Sequence, residues 1–334
     1  MSYSVIPVFI PHLGCPHDCV FCNQKRIAGK INAPKPNEVS ALIDVAFKRS
    51  PNAEIAFYGG SFTALPLSEQ EEYLKAAAAF SPKAIRLSTR PDAINDAILA
   101  LLKKYGVNTI ELGAQSMEDS VLISSNRGHT AEDVRTASKM IKDAGFNLIL
   151  QMMVGLPGED ENSAINTAKE IAKLKPNGVR VYPTVVVRDT CLENMWMHGE
   201  YTALTVGKAV EICAEITEIF NEKDIPIIRM GLNPTEDLNG GDALSGAYHP
   251  AFGQLVKARL RLKQMREILK GKEWESVTIY ANPKAISEVA GHKGENKKTL
   301  MGEFNIRSIS IFEDANLDYN TIKINEYKKI QDMC

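Results

Sequence analysis

The stretch Cys15-Pro16-His17-Asp18-Cys19-Val20-Phe21-Cys22 follows a short apolar run near the N-terminus and sets the reading of the chain around it. Three thiols at C-x3-C-x2-C, with an aromatic just before the third, can bend inward around one compact inorganic centre and leave it one ligand short. A structural zinc site takes four protein ligands in a closed tetrahedron. A four-iron cluster takes one ligand per iron, so three cysteines leave one iron open. These eight residues admit both readings, because His12, His17 or Asp18 is near enough in sequence to complete a zinc site.

Outward from this loop, apolar β-branched runs alternate with helical patterns to about residue 230. The pattern predicts strands over Val5 to Ile10, Glu54 to Tyr58, Ala84 to Ser88, Val107 to Leu112, Asn147 to Val154 and Gly178 to Pro183, with a further one at Ile225 to Met230. Pro36 and Asn37 open one intervening helix, Ser68 with Glu71 reads as a capping box for another, Pro91 enters a third, and Thr130 with Asp133 caps a fourth. Repeated strand-helix units require parallel strands joined by right-handed crossovers. A doubly wound sheet should carry a glycine fingerprint after its first strand, and here cysteines stand in that place. The expectation is therefore an α/β fold: a partial (β/α)6 TIM-like barrel over residues 1–235, its site at the C-terminal ends of the strands. Residues 236–334 read as a small C-terminal α/β appendage that binds substrate. Its predicted elements are a helix from about Pro250 to Lys270, a strand at Ser276 to Tyr280, a short helix around Pro283 to Val289 and a last strand at Ile306 to Ile311.

At 334 residues with a net charge of −2, the chain gives no global signal for nucleic acid or membrane, so any basic surface must be local. Six cysteines, three of them in one loop and the others at Cys191, Cys213 and Cys334, form no disulfide framework and suit a reducing cytoplasm. No segment approaches the roughly 18 uninterrupted apolar residues of a membrane span, and the N-terminus has no signal-peptide pattern. A soluble, cytoplasmic protein without membrane partners is the expectation.

Each predicted strand ends in residues suited to holding a ligand. Tyr58-Gly59-Gly60-Ser61-Phe62 bares main-chain groups, since glycine admits close approach. Thr89-Arg90-Pro91-Asp92 sets polar groups before a helix N-terminus, where Asp92 either favours the dipole or meets a ligand. Glu111 and Gln115 are expensive to bury on a core strand without partners. Arg127 suits bidentate binding of a carboxylate, and Met152 to Gly158 again offers backbone beside apolar walls. Cys191 reads either as a reactive thiol near the barrel mouth or as a buried inert one. Near the C-terminus, seven basic residues from Lys257 to Lys272 crowd one helix. Arg259, Lys263, Arg266 and Lys270 fall on one face of it, next to a second cationic segment, His292 to Lys298. Two cationic segments in so small a region point to an anionic partner such as RNA phosphate.

The cysteine loop with Phe21 resembles the cluster signature of the radical S-adenosylmethionine (SAM) superfamily. The order GGSF at Gly59, TRPD at Thr89, ELGAQS at Glu111, NRGHT at Asn126, DAGF at Asp143, MMVGLPG at Met152 and YPTVVVRDT at Tyr182 is similar to the catalytic subunit of Elongator, the tRNA wobble-uridine enzyme. The resemblance spans roughly residues 5 to 200. It implies a 4Fe-4S cluster held by Cys15, Cys19 and Cys22, with SAM on the open iron. It also implies Phe21 beside the adenine, Gly59 and Gly60 at the SAM amino end, and Gln115, Arg127 and the Val154-Gly155-Leu156 backbone around the remainder of SAM. An electron donor such as flavodoxin or ferredoxin would reduce the cluster, and a 5′-deoxyadenosyl radical would attack the substrate. That family has a longer gap between its first two cysteines and an acetyltransferase domain for which the last hundred residues here are too few and wrongly patterned. The expected function is thus radical modification of RNA, tRNA or rRNA, with the product open. The alternatives are radical chemistry on a small anionic metabolite, as in the oxygen-independent coproporphyrinogen oxidase group, and a zinc-stapled RNA-binding protein without turnover.

Overall fold

The computed structural model describes residues 4–23, 33–236 and 238–326, in two compact units, Met1–Pro250 and Ala251–Cys334. The first unit is built on β1 (Val5–Phe9), β2 (Glu54–Tyr58), β3 (Ala84–Thr89), β4 (Val107–Gln115), β5 (Asn147–Val154), β6 (Gly178–Pro183) and β8 (Ile227–Met230). They form one parallel sheet in the order β1-β2-β3-β4-β5-β6-β8, so chain neighbours are sheet neighbours, and the sheet curls into a half-barrel. Six strand-helix units and the further strand are thus as expected.

Helices lie between the strands: α1 (Pro36–Phe47), α2 (Leu67–Ala78), α3 (Asp96–Lys104), α4 (Asp119–Ser124), α5 (Ala131–Asp143), α6 (Glu161–Lys173), α7 (Cys191–Met197) and α8 (Val206–Asn221). Their starts follow local chemistry. Pro36 occupies the first turn of α1, where its missing N–H costs nothing. Thr130 and Asp133 close a capping box on α5, as do Asp160 and Ser163 on α6. Each such cap is worth about 1 kcal/mol. Two expected starts differ. α2 begins at Leu67 after Pro66, which puts Ser68 inside the helix, and Glu71 bonds Lys104 and Tyr105 instead. Pro91 opens only a short 3-10 turn, and α3 is capped by Asn95, whose side chain accepts from Ile98 N–H.

The strands alternate sides. Ile110, Leu112, Leu148, Leu150, Met152, Val179 and Val181 are buried in the apolar core. The intervening Glu111, Gln151 and Arg180 line a cavity on the other face of the sheet. At the end of β4 the register slips between Gly113 and Gln115, and Gln115 takes a left-handed conformation, φ 65°. Such a bulge re-aims the side chains around it.

The first unit also keeps the segment after residue 235. β9 (Ala243–Gly246) returns antiparallel to β7 (Val185–Val187), and Leu238 packs with Val185 and Val187. The unit boundary therefore falls at Pro250 and not at 235, because strand pairing and apolar contact hold 238–246 to the barrel unit.

The second unit contains α9 (Phe252–Leu269), β10 (Ser276–Ala281), α10 (Ile286–Ala290), α11 (Glu295–Glu303), β11 (Ser308–Glu313) and β12 (Ile322–Glu326). β10 is central, parallel to β11 and antiparallel to β12. Val277, Ile279, Ile309 and Ile322 from the strands pack with Met265, Leu269, Val289 and Leu300 from the helices. The last expected strand begins two residues later than read, and β12 was missed: Ile322-Lys323-Ile324 is too short an alternation to stand out beside polar turn residues. Cys334 lies outside the described residues.

Candidate functional site

A cavity of about 510 Å³ opens where the strands of the first unit end. Cys15, Cys19 and Cys22 all border it, with Phe21, His12, His17 and Asp18. The loop that carries them is fixed by main-chain bonds to neighbouring loops. His12 N–H donates to Gly59 C=O (2.9 Å), Ser61 N–H to Leu13 C=O (2.9 Å) and Val20 N–H to Ser125 C=O (3.2 Å), and Asn126 Nδ2 donates to Asp18 C=O (2.9 Å). Gly60 is required by this stitching. A Cβ there would lie 2.4 Å from Leu13 O and 2.6 Å from Ile10 O. What comes close to Gly60 is the cysteine loop's own backbone.

Among the described residues no group of three or more His, Cys, Asp or Glu side chains is arranged around a single ion. The donor set is three thiols on one cavity, with Cys15 Sγ 3.5 Å from Ser61 Oγ and Cys19 Sγ 3.3 Å from Arg127 Nη1. Three thiols bordering one cavity of this size are a donor set that fits a four-iron cluster with one open iron.

Arg127 is a cation on the wall held at two points. Its Nη2 donates to Gly113 C=O at 2.9 Å, and its own C=O accepts from Arg90 Nη2 at 3.0 Å. Arg90 is 1% exposed and makes a two-point bridge to Asp92 at 2.7 and 2.9 Å. Asp92, in the first turn of the short 3-10 helix, neutralises the arginine that holds Arg127. His129, two residues on, places Nε2 3.1 Å from Ala114 O. Burial, reinforced by the Arg127 charge, pushes its pKa down to about 4, so the ring is neutral at pH 7 and donates through Nε2.

The inner part of the cavity is a charged network. Glu111 accepts from Arg180 Nε (2.8 Å) and Nη2 (3.1 Å), Arg86 Nη1 (3.1 Å) and Tyr58 Oη (3.1 Å), while Arg86 also pairs with Glu54 at 2.5 Å. Two arginines meet two glutamates, and the group is neutral as a whole. Burial, then the Glu111 charge, drives the Tyr58 pKa upward, so its hydroxyl stays a donor. Glu111 thus has protein partners and is not kept for a ligand alone.

Phe21 and Tyr182 pack against the buried cluster of Val121, Met153 and Leu156, which makes an apolar wall beside the thiols. Val154, Gly155 and Leu156 are not among the lining residues. Their main-chain groups are already used: Val154 C=O accepts from Thr184 N–H, Gly155 C=O from Tyr201 Oη at 2.6 Å, and Gly155 and Leu156 N–H donate to Glu159 Oε2 at 2.5 and 3.3 Å. Of the residues singled out from sequence, the fold gathers Cys15, Cys19, Cys22, Phe21, Gly59, Gly60, Gln115 and Arg127 on one cavity. Cys191 is exposed at the start of α7 and is not among the lining residues. Arg86, Arg180, Gln151 and Glu159 went unread. A charge inside an apolar strand, at Arg86 and Arg180, was the available signal for the first two.

The model described as the radical SAM superfamily matches residues 9–171, and the one described as the radical SAM C-terminal domain matches 176–263. An uncharacterized protein of Methanocaldococcus jannaschii is 31% identical over 230 residues, which cover 64% of this chain and 70% of that protein. The tRNA uridine(34) acetyltransferase of the same organism is 33% identical over 147 residues, 43% of this chain but only 27% of that enzyme. Among solved structures, Methanocaldococcus infernus Elp3 superimposes with a TM-score of 0.62 at 23% identity, covering 79% of this chain and 64% of that one, which is a likeness of fold.

Proposed function

The chain belongs to the radical SAM superfamily, and from that premise we propose that it modifies RNA, with tRNA or rRNA as the substrate class. Its cofactors are a 4Fe-4S cluster and SAM. In this reading Cys15, Cys19 and Cys22 hold the cluster, and Phe21, Gly59, Gly60, Gln115 and Arg127 line the SAM pocket. Bound together, the two cofactors supply one-electron cleavage of the sulfonium to methionine and a 5′-deoxyadenosyl radical. The chain's residues hold and shield that event. Arg127 places a fixed positive charge where a carboxylate can bind, Phe21 and Met153 keep one wall apolar, and Leu156, pinned through Glu159, belongs to the buried cluster on which Phe21 packs. An external reductant such as flavodoxin or ferredoxin completes the scheme, in the cytoplasm.

The RNA assignment is supported by the match to a tRNA-modifying relative. Because the chain spans about a quarter of that enzyme's length, its product is not carried over. A small anionic substrate has less support, since the inner arginines are already neutralised by Glu54 and Glu111. Nucleoside mass spectrometry of tRNA and rRNA from a deletion strain tests the reading. A modified nucleoside missing from the mutant and restored by the wild-type gene is expected; an unchanged profile in both RNA classes would sink it.

A further inference from the structure

The basic helix is a poorer RNA surface than its composition suggests. Arg261 is buried; its guanidinium donates to Tyr319 C=O (2.7 Å) and lies 3.4 Å from Glu288. Lys257 also pairs with Glu288, and Arg266 makes a two-point bridge to Glu303. These cations hold the second unit together. Lys293, Lys297 and Lys298, in contrast, are exposed and pair with no acid among the described residues; Glu295 is the one acid between them.

Lys293 lies within Gly291-His292-Lys293-Gly294, the turn that joins α10 to α11, and Lys297 and Lys298 follow it in the first turns of α11. The chain here runs β10, α10, G-x-x-G, α11, β11, with β10 and β11 adjacent and parallel. The turn is tight and fixed. Gly291, Lys293 and Gly294 have φ of 76°, 52° and 73°, and a Cβ on Gly291 would meet Asn296 at 2.8 Å. Buried Asn296 anchors the turn, its Nδ2 donating to Ala258, Glu288 and Val289 carbonyls at 2.9, 3.1 and 3.3 Å. At Gly294 no atom lies within 4 Å of where a Cβ would be, so the outer side of the turn is open to an approaching chain.

We propose that residues 251–326 form a KH-type module and that the Gly291–Gly294 turn grips the sugar-phosphate backbone of single-stranded RNA. This rests on the RNA reading above and names the element that would hold the substrate. Two helices joined by a rigid G-x-x-G turn are how KH modules clamp the backbone of about four nucleotides. Lys293, Lys297 and Lys298 supply the charge for the phosphates. The grip selects a single strand, and base identity is read elsewhere.

The test uses the full, cluster-reconstituted chain and a fluorescent unstructured RNA of roughly a dozen nucleotides, three times the grip of one such turn. Two variants are compared, Lys293→Asp, and Lys297→Glu with Lys298→Glu. All three side chains are exposed, and Asp tolerates the left-handed position of Lys293. Each variant should bind about tenfold or more weakly with a shallower salt dependence, since single-strand slopes fall by about 0.7 per lost phosphate contact. Thermal midpoint and visible cluster spectrum should stay at wild-type values. Wild-type affinity in both variants, no RNA binding by the wild type, or preference for duplex RNA would overturn the proposal. The nucleoside profile judges the RNA-substrate reading separately, so the failure of one is distinguishable from the failure of the other.

Discussion

Arg127 Nη1 lies 3.3 Å from Cys19 Sγ while Nη2 of the same guanidinium donates to Gly113 C=O at 2.9 Å. One side chain thus ties the first loop of the chain to the bulged end of β4, 14 residues before Arg127 itself. The link also sets a permanent positive charge beside Cys19, a ligand in the cluster site proposed above.

Hydrogen bonds and charge at cluster sulfurs tune reduction potential. Arg127→Met should therefore still assemble a cluster, at a potential shifted to more negative values by tens of millivolts, and should bind SAM more weakly. Redox titration of the visible spectrum with equilibrium binding of SAM reads both. An unchanged potential would mean that the Arg127 contact to Cys19 is structural only.

Glu111 is the acceptor on which Arg86, Arg180 and Tyr58 converge. Removing one partner of a buried ion pair leaves the others uncompensated, at a cost of about 3–5 kcal/mol. Glu111→Ala should lose stability on that scale, seen as a lower denaturant midpoint. Glu111→Gln, which keeps two polar atoms in place, should lose less. A Glu111→Gln variant as stable as the wild type would mean that the charge of Glu111 is irrelevant.

Gly60 faces backbone carbonyls of Ile10 and Leu13, which have no rotamer through which to yield. Gly60→Ala should cost about 1–3 kcal/mol through overpacking and should move the cysteine loop. Iron bound per chain after anaerobic reconstitution should fall well below wild type. Full iron loading in this variant would show that the cysteine loop does not depend on Gly60.

Burial pushes the Glu159 carboxyl up to about 7, against the pull of the Gly155 and Leu156 N–H donors. The native state then holds a proton that the unfolded state, near 4.5, has lost. Its contribution to stability is complete below about pH 4.5 and is lost as pH rises through 7, on the order of 3 kcal/mol at the alkaline end. Glu159→Gln removes this dependence, so the variant should gain on the wild type between pH 5.5 and 8.5. Parallel unfolding midpoints across that range would place the Glu159 pKa near its ordinary value.

The sequence by itself determined the strand-helix rhythm, the parallel sheet and the cysteine loop, because period, β-branching and ligand spacing are local properties of the chain. Thr130 with Asp133 and Pro36 were legible for the same reason: a cap acts within four residues. What only the tertiary structure decided were partnerships across long separations. Asp92 looked unpartnered until Arg90 folded onto it with Arg127 behind, and the need for glycine at Gly60 came from the Leu13 and Ile10 carbonyls that a Cβ there would meet. The Val154 to Leu156 backbone looked available until Tyr201 and Glu159 took its polar groups. Seven cations crowded the basic helix in sequence, and Glu288 and Glu303 claim Lys257, Arg261 and Arg266 of them. Helical periodicity places a charge on a face, but only packing sets what lies within the 4 Å at which that charge is spent.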